Sequence, residues 1–437
     1  MSKPLLKDLR ELVTANIITS DTADQIARYY QSKKEAPGEK FNIVLGILGA
    51  LLVGFGIVLL VAHNWDVMPR SVQTIFAFLP LAAGQALCVF TLLKKRTNVA
   101  WRESSSVILF FAVASCMALI SQIYHINGTL DGFILTWLLL TAALVYMMRS
   151  SLVSLLVIAC ATWYATLVGY QNIFSYHHTD IPYFYLVFLA FIGPHYYQYF
   201  KSNRKSNFFH LHNWFLVIST VIALGAFAGK SEDTFQWIFI GYCSLFGIYY
   251  LLGESVYFEE SRLFANPFLI AGLLGTIIIF LFWSYDGIWN ELRGSKENYF
   301  RDLFQSIFFY LSFLLLVLHI YLLINLSKAE KGLYNPLRLS VYVFAVAVLF
   351  FAQIPFLGLL IMNAWVLVTA MFYIRKGAIK DHLGILNFGL LIIACLTLLR
   401  FFDDSIAFVW RGLFFVATGI GFFLANYLIL KKRKSIS

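Results

Sequence analysis

The stretch Val341-Tyr342-Val343-Phe344-Ala345-Val346-Ala347-Val348-Leu349-Phe350-Phe351 decides the architecture, because it is apolar on every side. A membrane barrel strand alternates apolar and polar residues over about ten positions, whereas a helix satisfies its own backbone in lipid and can be apolar all round. The same signature extends in both directions. Apolar runs of about 18 to 25 residues, each long enough to cross a hydrocarbon core about 30 Å thick, follow one another from residue 41 to residue 430. With 60% apolar and 13% charged residues in a chain of 437, the composition lies far outside the soluble range. The expected fold class is all-α: a polytopic helical membrane protein of about fourteen transmembrane helices.

Charge distribution sets the expected topology. The formal net charge is +10, and its bases gather at span ends such as Lys94-Lys95-Arg96, Arg149, Lys201, Arg375-Lys376 and the run from Lys431 to Lys434. Threading the spans puts about 26 of the 33 Lys and Arg on one side, which predicts that both termini are cytoplasmic. No basic stripe is interleaved with exposed aromatics, so no nucleic-acid partner is expected. The same bias reads Phe351-Ala352-Gln353-Ile354-Pro355 as a tight outer turn between two helices. A single kinked helix there would carry the last basic cluster to the wrong side. The five cysteines, Cys88, Cys116, Cys160, Cys243 and Cys395, fall inside apolar runs and read as small apolar residues.

Three regions follow: a cytoplasmic helical hairpin and linker over 1–40, a transmembrane helical domain over 41–430, and a basic cytoplasmic tail over 431–437. The first apolar run begins near Phe41 and is expected to be an anchor, not a cleaved signal. In the hairpin, Leu5, Leu9 and Leu12 share one face, Ser20 and Asp21 read as the cap of a second helix, and Ala23, Ile26, Ala27 and Tyr30 repeat at helical spacing. Two helices this short bury too little to stand alone. They are expected to pack on the membrane domain, on a second copy of the chain, or on a cytoplasmic partner.

Polar groups at span ends are the candidates for chemistry. His63-Asn64-Trp65-Asp66 closes the first span; Trp suits the headgroup level and Asn or Asp can cap the next helix, while His63 and Asn64 facing a cavity would form one wall of a site. The third span ends Ser121-Gln122-Ile123-Tyr124-His125, and if its helix continues, Ser121, Gln122 and His125 share a face. Either a solvated helix end or a second wall follows. Arg400, with Asp403 and Asp404 just beyond, ends the thirteenth span, and Arg411 lies among Phe408, Val409, Trp410 and Leu413. A charge within an apolar run is costly and is expected to be paired, with Asp403 or Asp404 as the local acid, or to face a cavity. The loop from Ser284 to Leu303, mixing both charge signs around Trp289 and Leu292, reads as carrying a short surface helix. Single polar residues such as His195, His319 and Asn363 are expected to hydrogen-bond between helices.

There is no Walker loop, dinucleotide glycine pattern, nucleophile elbow or His-Glu-X-X-His helix. His177-His178 lacks a third ligand at useful spacing. No catalytic residue, metal or cofactor is therefore assigned.

The N-terminal hairpin, the first span ending Ala62-His63-Asn64-Trp65-Asp66, the Gln122-Ile123-Tyr124-His125 run and Arg400-Phe401-Phe402-Asp403 before Gly412-Leu413-Phe414-Phe415 together resemble the bacterial polytopic membrane proteins grouped as domain of unknown function 2157. The resemblance marks Asn64, Trp65, Gln122, Tyr124 and His125 as signature positions and implies a bacterial inner membrane. It supplies no activity. Asn16 departs from the glycine expected between the two hairpin helices.

The leading functional expectation is a transporter or flippase-like protein with an outward-facing pocket for an anionic or lipid-linked substrate. His63, Asn64, Trp65, Gln122, Tyr124, His125, Arg400, Asp403 and Arg411 are its candidate binding residues, and membrane lipids are the expected partners. The alternatives are a non-transporting scaffold or envelope sensor acting through the hairpin, and a membrane-embedded enzyme acting on lipid.

Overall fold

A computed structural model describes residues 9, 12–32, 65–174, 181–202, 204–228, 235–255, 258, 263–292, 304, 306–326, 335–351, 354–401 and 408–434. Every regular element among them is a helix. The chain divides into two compact units, Met1–Leu79 and Pro80–Ser437.

In the first unit, helical residues 12–14 run into a turn and then into α1 (Ser20–Ser32). Asn16 makes the turn with a φ of 54°, and the amides of Ile17 and Ile18 return to the Leu12 carbonyl. Asparagine is the residue that best replaces glycine in this left-handed conformation. The helix is capped one residue earlier than the sequence suggests, since the Thr19 hydroxyl accepts from the Thr22 amide at 3.3 Å. Farther on, Trp65–Val67 forms a single 3₁₀ turn, and the Trp65 carbonyl accepts from Gln73 Nε2 at 2.6 Å.

The second unit is a helical bundle. α2 (Arg70–Lys94) leads into it, followed by α3 (Val99–Ile123), α4 (Leu130–Thr141), the one-turn α5 (Leu144–Met147), α6 (Ser151–Phe174), α7 (Tyr183–Ser202) and α8 (Asn207–Ala226). Then come α9 (Phe235–Gly253), α10 (Pro267–Phe282), the short α11 (Asp286–Leu292), α12 (Ile307–Leu326), α13 (Ser340–Phe351), α14 (Pro355–Ile379), α15 (Leu383–Phe401) and α16 (Phe408–Lys434). Each apolar segment expected from residue 71 onward thus has its helix, with 131–148 divided between α4 and α5. Counting α4 and α5 as one segment, nine helices among the described residues are long and apolar enough to cross a membrane, and three shorter apolar helices accompany them. The protein is an all-α, multi-pass membrane protein.

Helices α6 and α9 are the most enclosed, with 61% and 67% of their apolar windows buried; α12, at 17%, lies at the margin. α6 packs on α3, α4, α7 and α8, while α9 packs on α8, α10, α12 and α13. Lipid tails are as apolar as leucine, so close backbone approach must hold such helices together. Glycine provides it. A Cβ at Gly272 would lie 2.3 Å from the Tyr250 amide nitrogen across the α9–α10 contact, and one at Gly377 would lie 2.4 Å from the Leu386 nitrogen across α14–α15.

The junction at Pro355 is a turn between two helices. α13 ends at Phe351, α14 starts at Pro355, and Trp365 Nε1 donates to the Ser340 hydroxyl at 2.9 Å. Those two residues are nearly equidistant from the junction, as an antiparallel hairpin requires.

Candidate functional site

The built site lies where α10 and α15 end and α14 begins. α10 runs out at Phe282, and the chain turns through Trp283, Ser284 and Tyr285 into α11. α11 is the short helix expected in this loop; Gly287 on it is exposed, and one side chain is turned inward. Trp289 is wholly buried, its indole nitrogen donates to the Trp283 carbonyl at 2.8 Å, and the two indoles meet edge to face at 5.3 Å. Gly358 makes room for this plug, because a Cβ there would come within 2.1 Å of the Trp289 ring. Asn363, farther along α14, donates to the Ser284 carbonyl at 3.2 Å and to the Leu359 carbonyl at 2.8 Å.

Arg400 reaches this turn from the end of α15. Its Nη2 donates to the Ser284 hydroxyl at 2.9 Å, and that hydroxyl in turn donates to the Leu281 carbonyl at 2.6 Å. Ser284 therefore gives the guanidinium one fixed hydrogen bond. Beside it opens a cavity of about 680 Å³ lined by Ile278, Leu281, Phe282, Tyr285, Ile288, Leu399 and Arg400. Ile278, Phe282, Tyr285 and Leu399 are exposed, so the cavity opens on the side of the bundle. Six apolar or aromatic side chains and one cation suit an anionic group attached to a hydrocarbon.

Arg411, in the first turns of α16, donates from Nη1 to the Phe401 carbonyl at 3.0 Å. Phe401 packs edge-on against Phe415 at 5.5 Å, and Thr397 and Thr418 share a hydrogen bond of 2.9 Å, tying α15 to α16. Asp403 and Asp404 lie outside the described residues.

The candidates of the third span form a helix end. α3 stops at Ile123, Tyr124 caps it, and His125 adopts a φ of 51°. The Ile126 amide returns to the Ser121 carbonyl at 2.9 Å, and the Ser121 hydroxyl donates to the Ile126 carbonyl at 2.9 Å. The helix does not continue, so Ser121, Gln122 and His125 do not form a common helical face. Gln122, Tyr124 and His125 are all exposed. They belong to α3, which packs on α4 and α6, whereas Arg400 belongs to α15, which packs on α14, α16 and α10. Trp65 sits in its 3₁₀ turn in the other unit, and His63 and Asn64 lie outside the described residues.

Two acid clusters, one buried and one half-buried, were not legible from the sequence. Glu103 is 6% exposed; its carboxylate accepts from the Ser150 hydroxyl and from the amides of Ser151 and Leu152, each amide at 2.9 Å. It thereby caps the N-terminus of α6, where free amides and the helix dipole favour an anion. Glu254 accepts from Arg338 Nε at 2.9 Å, from the Tyr250 hydroxyl at 2.5 Å and from Asn335 Nδ2 at 3.2 Å. Tyr250 and Tyr373 hydroxyls lie 3.2 Å apart beside it.

No curated protein and no solved structure matches the chain. The matched family region includes Glu103, Gln122, Tyr124 and His125 and stops short of the Arg400 cavity. Residues 10–154 match the family described as predicted membrane protein (DUF2157), and over this third of its length the chain is similar to that family.

Proposed function

We propose that the protein binds an anionic amphiphile, a lipid or lipid-linked substrate, in the Arg400 cavity and moves it in a transporter or flippase-like cycle in a bacterial inner membrane. One observation carries the reading: a guanidinium held by Ser284 lines an otherwise apolar cavity of about 680 Å³ whose rim is exposed. That volume falls within the range of small-molecule sites, and the apolar wall suits the first part of an acyl or prenyl chain. The basic clusters at the other helix ends support an outward position for Arg400. The exposed end of α3 does not line this cavity, and no substrate contact is assigned to Gln122, Tyr124 or His125.

The test is native mass spectrometry of purified protein, followed by translocation of labelled anionic lipid in liposomes. Wild-type protein is expected to retain an anionic lipid that Arg400→Gln loses, with affinity falling about tenfold, or about 1.4 kcal/mol. Arg411→Gln is expected to retain it. An unchanged lipid profile in Arg400→Gln sinks the proposal. The compact first unit also supports a second reading, a scaffold or sensor recruiting a partner through the hairpin. Deleting residues 1–35 would then abolish function while leaving insertion and lipid retention intact.

A further inference from the structure

Around His195 the bundle carries a second polar cluster on helices that do not line the Arg400 cavity, and its reading does not rest on that one. His195 is 5% exposed, follows Pro194 within α7, and has an Nε2 that is buried without a hydrogen-bond partner. A buried ring nitrogen is ordinarily satisfied, so this one calls for an explanation.

The titratable and charged groups facing it are few. Tyr146 of α5 meets its ring edge-on at 6.2 Å, Tyr199 of α7 at 5.4 Å, and His212 of α8 lies at 6.0 Å. Glu103 of α3 belongs to the same cluster. It connects through Ser151, whose amide donates to the carboxylate and whose hydroxyl shares a hydrogen bond of 2.5 Å with Tyr199.

These groups are not equally able to take a proton. His212 has both ring nitrogens engaged: Nδ1 lies 2.7 Å from the Phe208 carbonyl, which can only accept, so Nδ1 carries the hydrogen and Nε2 accepts from Ser154 at 2.9 Å. The Glu103 oxygens already accept from one hydroxyl and two amides. His195 alone in the cluster has a ring nitrogen facing no donor. In its Nδ1–H tautomer, Nε2 presents an unused lone pair.

We propose that His195 is a proton-binding site, with the Glu103 carboxylate as its fixed counter-charge. The step is a protonation: an O–H bond of a hydronium ion from solvent breaks as its proton adds to the Nε2 lone pair, water is released, and the neutral imidazole becomes imidazolium. The cluster as a whole goes from one net negative charge to zero. Intramembrane ionisable residues are costly and belong by default to proton or ion pathways, which fits this arrangement. His319 provides the internal control. It too is buried with an unpartnered Nε2, but its neighbours are Tyr342 and the α9 backbone at Gly247, with no carboxylate among the contacts described.

The test uses the full chain in nanodiscs with ¹⁵N-labelled histidine. Only His195 among the nine histidines follows a proline, so labelling proline carbonyls as well assigns it in the unaltered protein. Its side-chain ¹⁵N signals are expected to pass from neutral to imidazolium as the pH falls from about 8 to about 5. In Glu103→Gln the midpoint is expected to drop by about one pH unit or more, while in Glu254→Gln it stays. His319, assigned by loss of its signal in His319→Gln, is expected to stay neutral throughout. A His195 that remains neutral over the whole range in which the fold persists overturns the proposal, whatever the Arg400 variants do.

Discussion

Glu103 and Glu254 are two acids at helix ends in one bundle, and they are held in opposite ways. Glu254 is answered by a cation, Arg338, with Tyr250 and Asn335 completing its shell. Glu103 is answered by a hydroxyl and two amides at the start of α6. The first arrangement is an ion pair with no net charge. The second leaves a buried negative charge met, among the described residues, by dipoles, so a proton arriving on a neighbouring base gains a counter-charge without displacing another cation. The contrast separates a structural tie from a site that can change state.

Breaking the ion pair is expected to cost most. Arg338→Met strands the Glu254 carboxylate and is expected to destabilise the protein by about 3 kcal/mol, read as a lower thermal midpoint in nanodiscs. The double variant Arg338→Met/Glu254→Gln is expected to recover most of that loss, because the stranded charge is gone. Recovery of less than half would mean that the pair contributes more than mutual neutralisation. Glu103→Gln is expected to cost less, about 2 kcal/mol, since an amide replaces two acceptor oxygens with one and turns its own N–H groups toward donors. Ser154→Ala probes the smallest effect. It removes the donor to His212 Nε2, with an expected loss of about 1 kcal/mol and no movement of the His195 midpoint. A large midpoint shift there would make Ser154 part of the proton site.

Much of the fold was legible because its causes are local. Apolar runs give helices, Pro355 marks a start, and Asn16 turns the hairpin by the left-handed conformation that glycine was expected to supply. Local reading failed by one residue at Thr19, where the neighbouring Ser20 and Asp21 are equally good capping types. At α3 it identified the polar residues but left open whether the helix continues, and the left-handed His125 ends it. The candidate site was legible only in part. Arg400 stands out as a charge at the end of an apolar run, but its partner Ser284 lies 116 residues earlier and is an ordinary serine. Glu103 looked like any polar residue near a span end, because the serines and amides that enclose it come 47 to 49 residues later. The loop around Trp289 reads only as a short surface helix for the same reason. Only Gly358 on another helix shows that an indole is meant to fit there.

That fit has a consequence for how the protein is made. The seat for Trp289 belongs to α14, three helices further along the chain, so the indole has no place to dock when its own loop leaves the ribosome. The turn that orients Arg400 is finished only after α14 and α15 have been inserted. A nascent chain halted before Gly358 would hold the helices up to α13 and still lack Leu399 and Arg400, the last two residues of the cavity wall.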